Sequence, residues 1–264
     1  MPDGKPDTAS TQDFTVSIVS HGQGAHCAQL LADLAAHASG AVAKVILTLN
    51  IPEPMRPDPA LPFAVDLLRN VRPQGFGANH NQAFARCQSD FFAVLNPDLR
   101  VVQDPFASLR RCLADPASGI AAPVVREVDG SVADFARTLV SPWDVVRRRI
   151  HLRADSDLDA APEWLAGMFL AFRRSVYADL GGFDTRYFLY CEDVDICARA
   201  RLRGLRLQIA RDASVTHIAQ RASRRSMNRM RQHVLSLLRL WTSPVYHDYR
   251  NLLRTTQAPG ERRP

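Results

Sequence analysis

The run Asp90-Phe-Phe-Ala-Val-Leu95 is apolar from its second residue to its last and stops at Asn96-Pro97-Asp98. A run of this length with no polar face reads as a buried strand of an α/β sheet. Proline cannot continue the ladder, so the triplet leaves its polar side chains at the carboxyl end of that strand. In open α/β sheets this is the edge where ligands bind.

The surrounding pattern agrees. Residues 14–19 alternate and are β-rich, residues 27–37 read as helical, and residues 42–49 form another continuous apolar strand, which makes a β-α-β opening. A proline-rich loop covers 51–62 and a short strand 63–68. A helix is predicted over 79–88, after a turn at Gly75-Phe76-Gly77. Further on, the pattern predicts a helix at 105–113, a strand at 119–125, and an Asp129-Gly130 hairpin turn into 131–138. Residues 141–161 lose the pattern and read as a mobile connection with a basic cluster at Arg147 to Arg149. It resumes as a buried strand or sheet edge at 164–172, a short helix at 174–180 closed by Gly181-Gly182, a helix at 194–203 ended by Gly204, and a last strand at 205–210. Met227, Met230, Val234, Leu237, Leu238 and Trp241 then recur at helical spacing among arginines.

At 264 residues the chain is one elaborated α/β domain: a disordered start over 1–13, the folded domain over 14–220, and a basic helix and tail over 221–264. An apolar fraction of 46% and a charged fraction of 23% exclude a disordered chain. The five cysteines lack CxxC spacing, which points to reduced thiols rather than a zinc site or a disulfide framework. The N-terminus has no signal-peptide core, and no stretch approaches the roughly 20 apolar residues of a membrane span. The expected location is cytoplasmic. The net charge of +6 is concentrated between Arg199 and Arg239, where the basic helix suits either docking on anionic lipid or a solvated face. It carries no recognised reading motif, which argues against a nucleic-acid partner.

Three groups of residues could carry chemistry. Asn96 and Asp98, two residues apart at a strand end, could reach one hard cation, although the triplet is also an ordinary turn. Glu192-Asp193-Val194-Asp195 crowds carboxylates at a helix start, which raises at least one pKa and suits a general base; acids in a first turn are also favoured by the helix dipole alone. Phe183, Tyr187, Phe188 and Tyr190 just before them could wall a sugar site or simply fill the core. His217, just past the last strand, could turn back to the sheet edge as a metal ligand or could merely pack. Asp155, Asp157 and Asp159 do not make a calcium loop, since Ala160 and Ala166 stand where its glycine and glutamate belong. Gly75-Phe76-Gly77 satisfies neither the dinucleotide nor the P-loop pattern.

In order, Gly75-Phe-Gly-Ala-Asn79-His-Asn81, Leu95-Asn-Pro-Asp98, Trp164-Leu-Ala-Gly167, Gly181-Gly-Phe-Asp184, Phe188-Leu-Tyr190-Cys-Glu192-Asp193-Val-Asp195 and His217 resemble family 2 glycosyltransferases, particularly the rhamnosyltransferase-like members. The resemblance covers about residues 14–240 and is most specific from 164 to 217. It implies a GT-A fold, a Rossmann-like mixed sheet flanked by helices. It also implies a dTDP- or UDP-linked sugar donor, Mg2+ or Mn2+, and a glycan or polyprenyl-linked acceptor at the inner face of the cytoplasmic membrane. By that resemblance Asp193 is the general base of an inverting transfer, and Asp98 and His217 serve the metal. Ser20, Asn50, Gly75, Asn79, Asn81, Asn96, Arg221, Ser223 and Arg224 lie on the donor side, and Trp164, Gly167, Tyr190 and Glu192 on the acceptor side. Two departures stand out. Asn50 replaces the acid that usually closes the second strand, and Asn96 replaces the first acid of the metal element, which implies a weak cation site. They also leave open a protein of this fold that binds a nucleotide sugar or a partner without turnover. Nucleotidyl transfer would want a glycine-rich, basic first loop, of which Ser20-His-Gly-Gln-Gly24 is a faint version.

Overall fold

The buried runs assemble into one eight-stranded sheet. In this computed structural model, residues 13–139, 141, 161–218 and 227–256 are described. The strands are β1 (Phe14–Ser20), β2 (Val42–Leu49), β3 (Ala64–Arg69), β4 (Phe91–Leu95), β5 (Leu99–Arg100), β6 (Ser118–Glu127), β7 (Ala136–Arg137), β8 (Trp164–Leu165), β9 (Phe169–Arg173) and β10 (Arg206–His217). The helices are α1 (Gly24–His37), α2 (Phe76–Phe84), α3 (Phe106–Ala114), α4 (Arg174–Asp179), α5 (Glu192–Leu202), α6 (Met227–Trp241) and α7 (Pro244–Thr256). The sheet order is β3-β2-β1-β4-β9-β6-β10-β5, with β7 and β8 as a separate two-stranded ribbon.

β1 to β4 run parallel, β9 runs against both β4 and β6, and β6 runs parallel with β10. The carboxyl ends of β1, β2, β4, β6 and β10 and the amino end of β9 therefore meet on one edge. β4 is buried at every residue, as its sequence requires, and Phe14, Phe92, Phe169 and Phe172 around it are fully buried core. This is the mixed, helix-flanked sheet that the resemblance implies.

Several boundaries differ from the sequence reading. α2 starts at Phe76 rather than 79, so Gly77 lies inside the helix instead of in a turn. A Cβ on Gly77 would stand 2.6 Å from Phe183 Cβ, and one on Gly75 would stand 2.7 Å from the Phe188 carbonyl oxygen; both glycines serve close packing. The run 164–172 is two strands, broken at Ala166-Gly167-Met168. The hairpin expected over 131–138 is reduced to one bridge, Arg126 with Val132, and the short β7. β10 does not stop at 210: an irregularity between Ala210 and Ser214 interrupts its pairing with β6, and the strand continues to His217.

The tail expected after α6 contains α7. Ser243 Oγ accepts from Tyr246 N at 3.2 Å, Pro244 opens the helix, and Tyr246 and Tyr249 bury themselves against the domain. Tyr249 OH donates to the Glu163 carbonyl at 2.6 Å. All five cysteines are free. Among the described residues no helix is long and apolar enough to cross a membrane. The start over 1–12, the basic cluster at Arg147 to Arg149 and the aspartates at 155, 157 and 159 lie outside the described residues.

Candidate active site

The candidate edge carries two carboxylates, Asp98 beside the end of β10 and Asp193 against the break between β8 and β9. After Pro97 the chain crosses to the far strand, where Leu99 and Arg100 pair with His217 and Thr216 of β10. Ile218 N donates to the Asp98 carbonyl at 2.8 Å. This pairing sets His217 Nε2 3.3 Å from Asp98 Oδ2. His217 is thus the last residue of β10, not a residue beyond it. The hydrogen bond to Asp98 raises its pKa above the usual histidine value, against the opposing effect of burial. Glu127 Oε2 lies 4.0 Å from His217 Nδ1 on the other side.

Asp98 Oδ1 is buried without a hydrogen-bond partner. An orphaned carboxylate oxygen beside an imidazole is a donor set that fits a hard divalent ion, with the remaining positions left to oxygens from a ligand or water. Among the described residues no cluster of three His, Cys, Asp or Glu is preformed around it. The residues present therefore fit a metal shared with substrate.

The second carboxylate sits at the start of α5. Tyr190 and Cys191 both adopt positive φ, 73° and 69°, and this left-handed turn delivers Glu192 and Asp193 to the helix's first turn. Asp193 Oδ2 accepts from Gly167 N at 3.0 Å and Oδ1 accepts from Val194 N at 2.9 Å. Asn96 N in turn donates to the Met168 carbonyl at 2.9 Å. The break between β8 and β9 thereby links the triplet after β4 to the base candidate. Burial raises the Asp193 pKa, opposed by the Gly167 amide and by Arg137. Glu192 is buried with Oε2 unpartnered, and burial first, then the neighbouring Asp193, pushes its pKa up to about 8. The expected crowding of charge is real, but desolvation is the larger cause. Asp195 is different: it is buried against Arg199 Nε at 2.7 Å, and Arg199 ties it to the carbonyls of Leu180 and Gly182.

The asparagines are spent inside the wall. Asn50 Oδ1 accepts from Gln74 N at 2.8 Å and from Asn70 Nδ2 at 2.9 Å, and its Nδ2 donates to the Gln74 carbonyl at 2.9 Å. Asn79 is fully buried; its Oδ1 accepts from Asn70 Nδ2 at 2.6 Å and its Nδ2 donates to the Gly75 carbonyl at 3.0 Å. Asn81 Oδ1 accepts from Tyr177 OH at 2.7 Å and Phe183 N at 2.9 Å. Ser20 Oγ accepts from Gln23 N at 3.0 Å where the chain turns into α1. These bonds hold the side chains in the wall at Gly75 and β1.

Trp164 is also packed in: its Nε1 donates to the Thr138 carbonyl at 2.9 Å, and the Arg137 guanidinium lies 4.9 Å from the ring centre. The aromatic stretch divides, with Phe183 and Tyr187 in the core and Phe188 47% exposed. The Tyr190 ring meets His233 of α6 at 4.8 Å. Arg137, His233 and Glu127 went unread in the sequence, since each is one polar residue in a weak or amphipathic pattern. Arg221, Ser223 and Arg224 lie outside the described residues.

A mixed sheet with its ligand edge where β9 turns back between two parallel sets is the architecture of GT-A glycosyltransferases, and solved structures of that class share it. The Staphylococcus aureus TarS structure with UDP-GlcNAc superimposes with TM-score 0.61 at 12% identity, covering 93% of this chain and 73% of that one. The Pyrobaculum calidifontis mannosyltransferase PcManGT with GDP-Man and Mn2+ gives 0.57 at 15% identity, covering 98% and 79%. By sequence the chain belongs to the family described as glycosyltransferase like family 2, whose model matches residues 12–235. Rhamnosyltransferase WbbL of Escherichia coli (strain K12) is 29% identical over 186 residues, 62% of this chain and 69% of WbbL. The N-acetylglucosaminyl-diphospho-decaprenol L-rhamnosyltransferase of Mycobacterium tuberculosis (strain CDC 1551 / Oshkosh) is 31% identical over 146 residues, 48% of this chain and 47% of that protein. The match thus spans about half the length of the mycobacterial relative.

Proposed function

We propose that this chain is an inverting glycosyltransferase that moves a sugar, rhamnose first among the candidates, from a dTDP- or UDP-linked donor to a polyprenyl-linked or surface-polysaccharide acceptor. The observation that carries the reading is the placement of Asp193, held by the Gly167 amide at 3.0 Å, on the same sheet edge as the Asp98–His217 pair. A carboxylate with a raised pKa and a fixed orientation is suited to take a proton.

In this mechanism the acceptor hydroxyl lies against Asp193, and its oxygen attacks the anomeric carbon from the face opposite the diphosphate. The new glycosidic bond forms as the carbon–oxygen bond to the diphosphate breaks, the proton passes to Asp193, and the configuration inverts. Asp98 and His217 would hold Mg2+ or Mn2+, which when bound would neutralise charge on the donor diphosphate. By the resemblance, Arg221, Ser223 or Arg224 would neutralise the leaving group's charge as it develops. Tyr190, Gly167 and Glu192 border the acceptor. Asn50, Asn79 and Asn81 hold the donor wall in shape, and Asn96 fixes the turn that presents Asp98. The site of action is the inner face of the cytoplasmic membrane, where a polyprenyl-linked acceptor would be met.

The test is consumption of dTDP-, UDP- and GDP-sugars by the purified chain with Mg2+ or Mn2+, with and without a lipid-diphosphate acceptor, beside Asp98→Ala. Consumption of one donor only with metal, lost in Asp98→Ala, supports the reading. Donor binding with no turnover on any acceptor would instead make the chain a silent binding protein of the same fold.

A further inference from the structure

We propose that the outer face of α6 is a docking surface for an anionic lipid bilayer; the inference rests on the reading of a membrane-linked acceptor. α6 packs inward through Ser236, Leu237 and Leu240, which are buried. Outward it presents Met230, Val234 and Leu238 at successive four-residue steps, with Leu235 beside them, exposed by 57, 47, 51 and 54%. Four large apolar side chains on one helical face are too many for scattered surface residues. Arg231 and Arg239 are exposed among them, and the helix Met227–Trp241 contains no acidic residue. A solvated helix face would pair its arginines with acids at three- or four-residue spacing; this one leaves its charge for something external.

The charge chooses the occupant. A pairing of two copies through this face would set arginines against arginines, with no carboxylate on either α6 to separate them. Anionic headgroups with acyl chains beneath them satisfy both parts of the face, the guanidinium heads staying at the phosphate level while the apolar side chains insert. The chain's net charge of +6 adds to the attraction. The helix is also bolted to the acceptor side: Ser236 Oγ donates to the Leu189 carbonyl at 2.8 Å, and His233 lies against Tyr190. Leu189 and Tyr190 belong to the turn that delivers Asp193. The bilayer surface would thus lie about one helix diameter, ~10 Å, from that turn.

The experiment is co-sedimentation of the full chain with phosphatidylglycerol–phosphatidylcholine vesicles and with phosphatidylcholine vesicles alone. The variants are Val234→Glu with Leu238→Glu, and Arg231→Gln with Arg239→Gln. Wild type is expected to pellet with the anionic vesicles and to be released by salt. The glutamate pair should lose binding by at least about tenfold, and each arginine removed should weaken it by about fivefold. Thermal midpoint and donor consumption with a water-soluble acceptor should stay as in wild type, since these side chains face away from the fold. The assay reads lipid binding without any sugar, so a failure of the transferase reading leaves its result intact. Wild type remaining in the supernatant, or the glutamate pair pelleting like wild type, would overturn the proposal. So would a wild-type dimer in solution that the glutamate pair dissociates, because the face would then be a contact between copies.

Discussion

The backbone amide of Gly167 donates to Asp193 Oδ2 at 3.0 Å, across the break between β8 and β9. This bond orients the carboxylate while leaving Oδ2 a second lone pair for an incoming hydroxyl. Asp193→Asn keeps the shape and removes the basicity. Transfer in a single turnover should fall by about 10²- to 10⁴-fold while donor affinity changes by less than about twofold. A loss of donor binding equal to the loss of rate would place Asp193 on the donor and end its assignment as the base.

On the proposed reading Asp98 serves the donor side, and its orphaned Oδ1 beside His217 sets the expectation for metal. Chelation should abolish donor consumption, and Mg2+ or Mn2+ should restore it only at about millimolar concentration, because two protein ligands make a weak site. Asp98→Ala should weaken metal-dependent donor binding by at least about tenfold, or ~1.4 kcal/mol, by calorimetry. Full donor affinity in chelator would rule the metal role out.

Glu192 links the site to stability. An ordinary glutamate titrates near ~4.3 when unfolded, whereas burial pushes it up to about 8 here. The folded state prefers the protonated acid. Its contribution is therefore fully present below about pH 4 and is lost as pH rises towards and through about 8. Glu192→Gln mimics the neutral form at every pH, so its melting temperature should gain on wild type steadily from pH 5 to 9 and level off above. A difference between the two proteins that stays constant with pH would show that the carboxyl is already ionised in the fold.

The main frame was readable because burial leaves a trace: β1 alternates, β2 and β4 are apolar runs, and each was placed within a residue or two. The misses have local causes. Gly77 lowers helix propensity, so the start of α2 was read as a turn before the helix, while its glycine answers to Phe183 far along the chain. The irregularity between Ala210 and Ser214 brings Arg211 and Asp212 into β10 and broke the alternation that would have carried the strand to His217. α7 had its signal in Ser243-Pro244, a cap followed by a first-turn proline, which went unread. In the site, residue types were legible and partnerships were not. Nothing local in Asn79 says that its amide is consumed by Asn70 and Gly75, or that Arg137 lies over Trp164.

That consumption makes Asn79 testable as part of the wall. Asn79→Ala removes its amide donor from the carbonyls of Gln74 and Gly75 and takes away one of the two acceptors of Asn70 Nδ2. Stability should fall by about 2–3 kcal/mol in urea unfolding. Donor affinity in the protein that remains folded should change little. Unchanged stability with a large loss of donor affinity would show the amide turning outward to the ligand.

Two glycines separate close packing from mere chain freedom. At Gly77 an added Cβ would stand 2.6 Å from Phe183 Cβ, an atom next to the backbone that cannot swing aside. Alanine gains about 1 kcal/mol of helix propensity there, but overpacking of this kind costs about 1–3 kcal/mol. The close approach belongs at the upper end of that range, because α2 or the Phe183 segment must move. At Gly40 an added Cβ would meet nothing within 4 Å, so Gly40→Ala should stabilise by about 0.4–1 kcal/mol through the unfolded chain. Thermal denaturation should therefore move the two variants in opposite directions, Gly77→Ala down and Gly40→Ala up. Because Gly75 and Phe188 are joined to the same packing by the bond from Phe76 N to the Phe188 carbonyl, Gly77→Ala should also slow transfer, whereas Gly40→Ala should leave it unchanged. A stabilised Gly77→Ala would mean that α2 yields freely and that the glycine is not what seats it on Phe183.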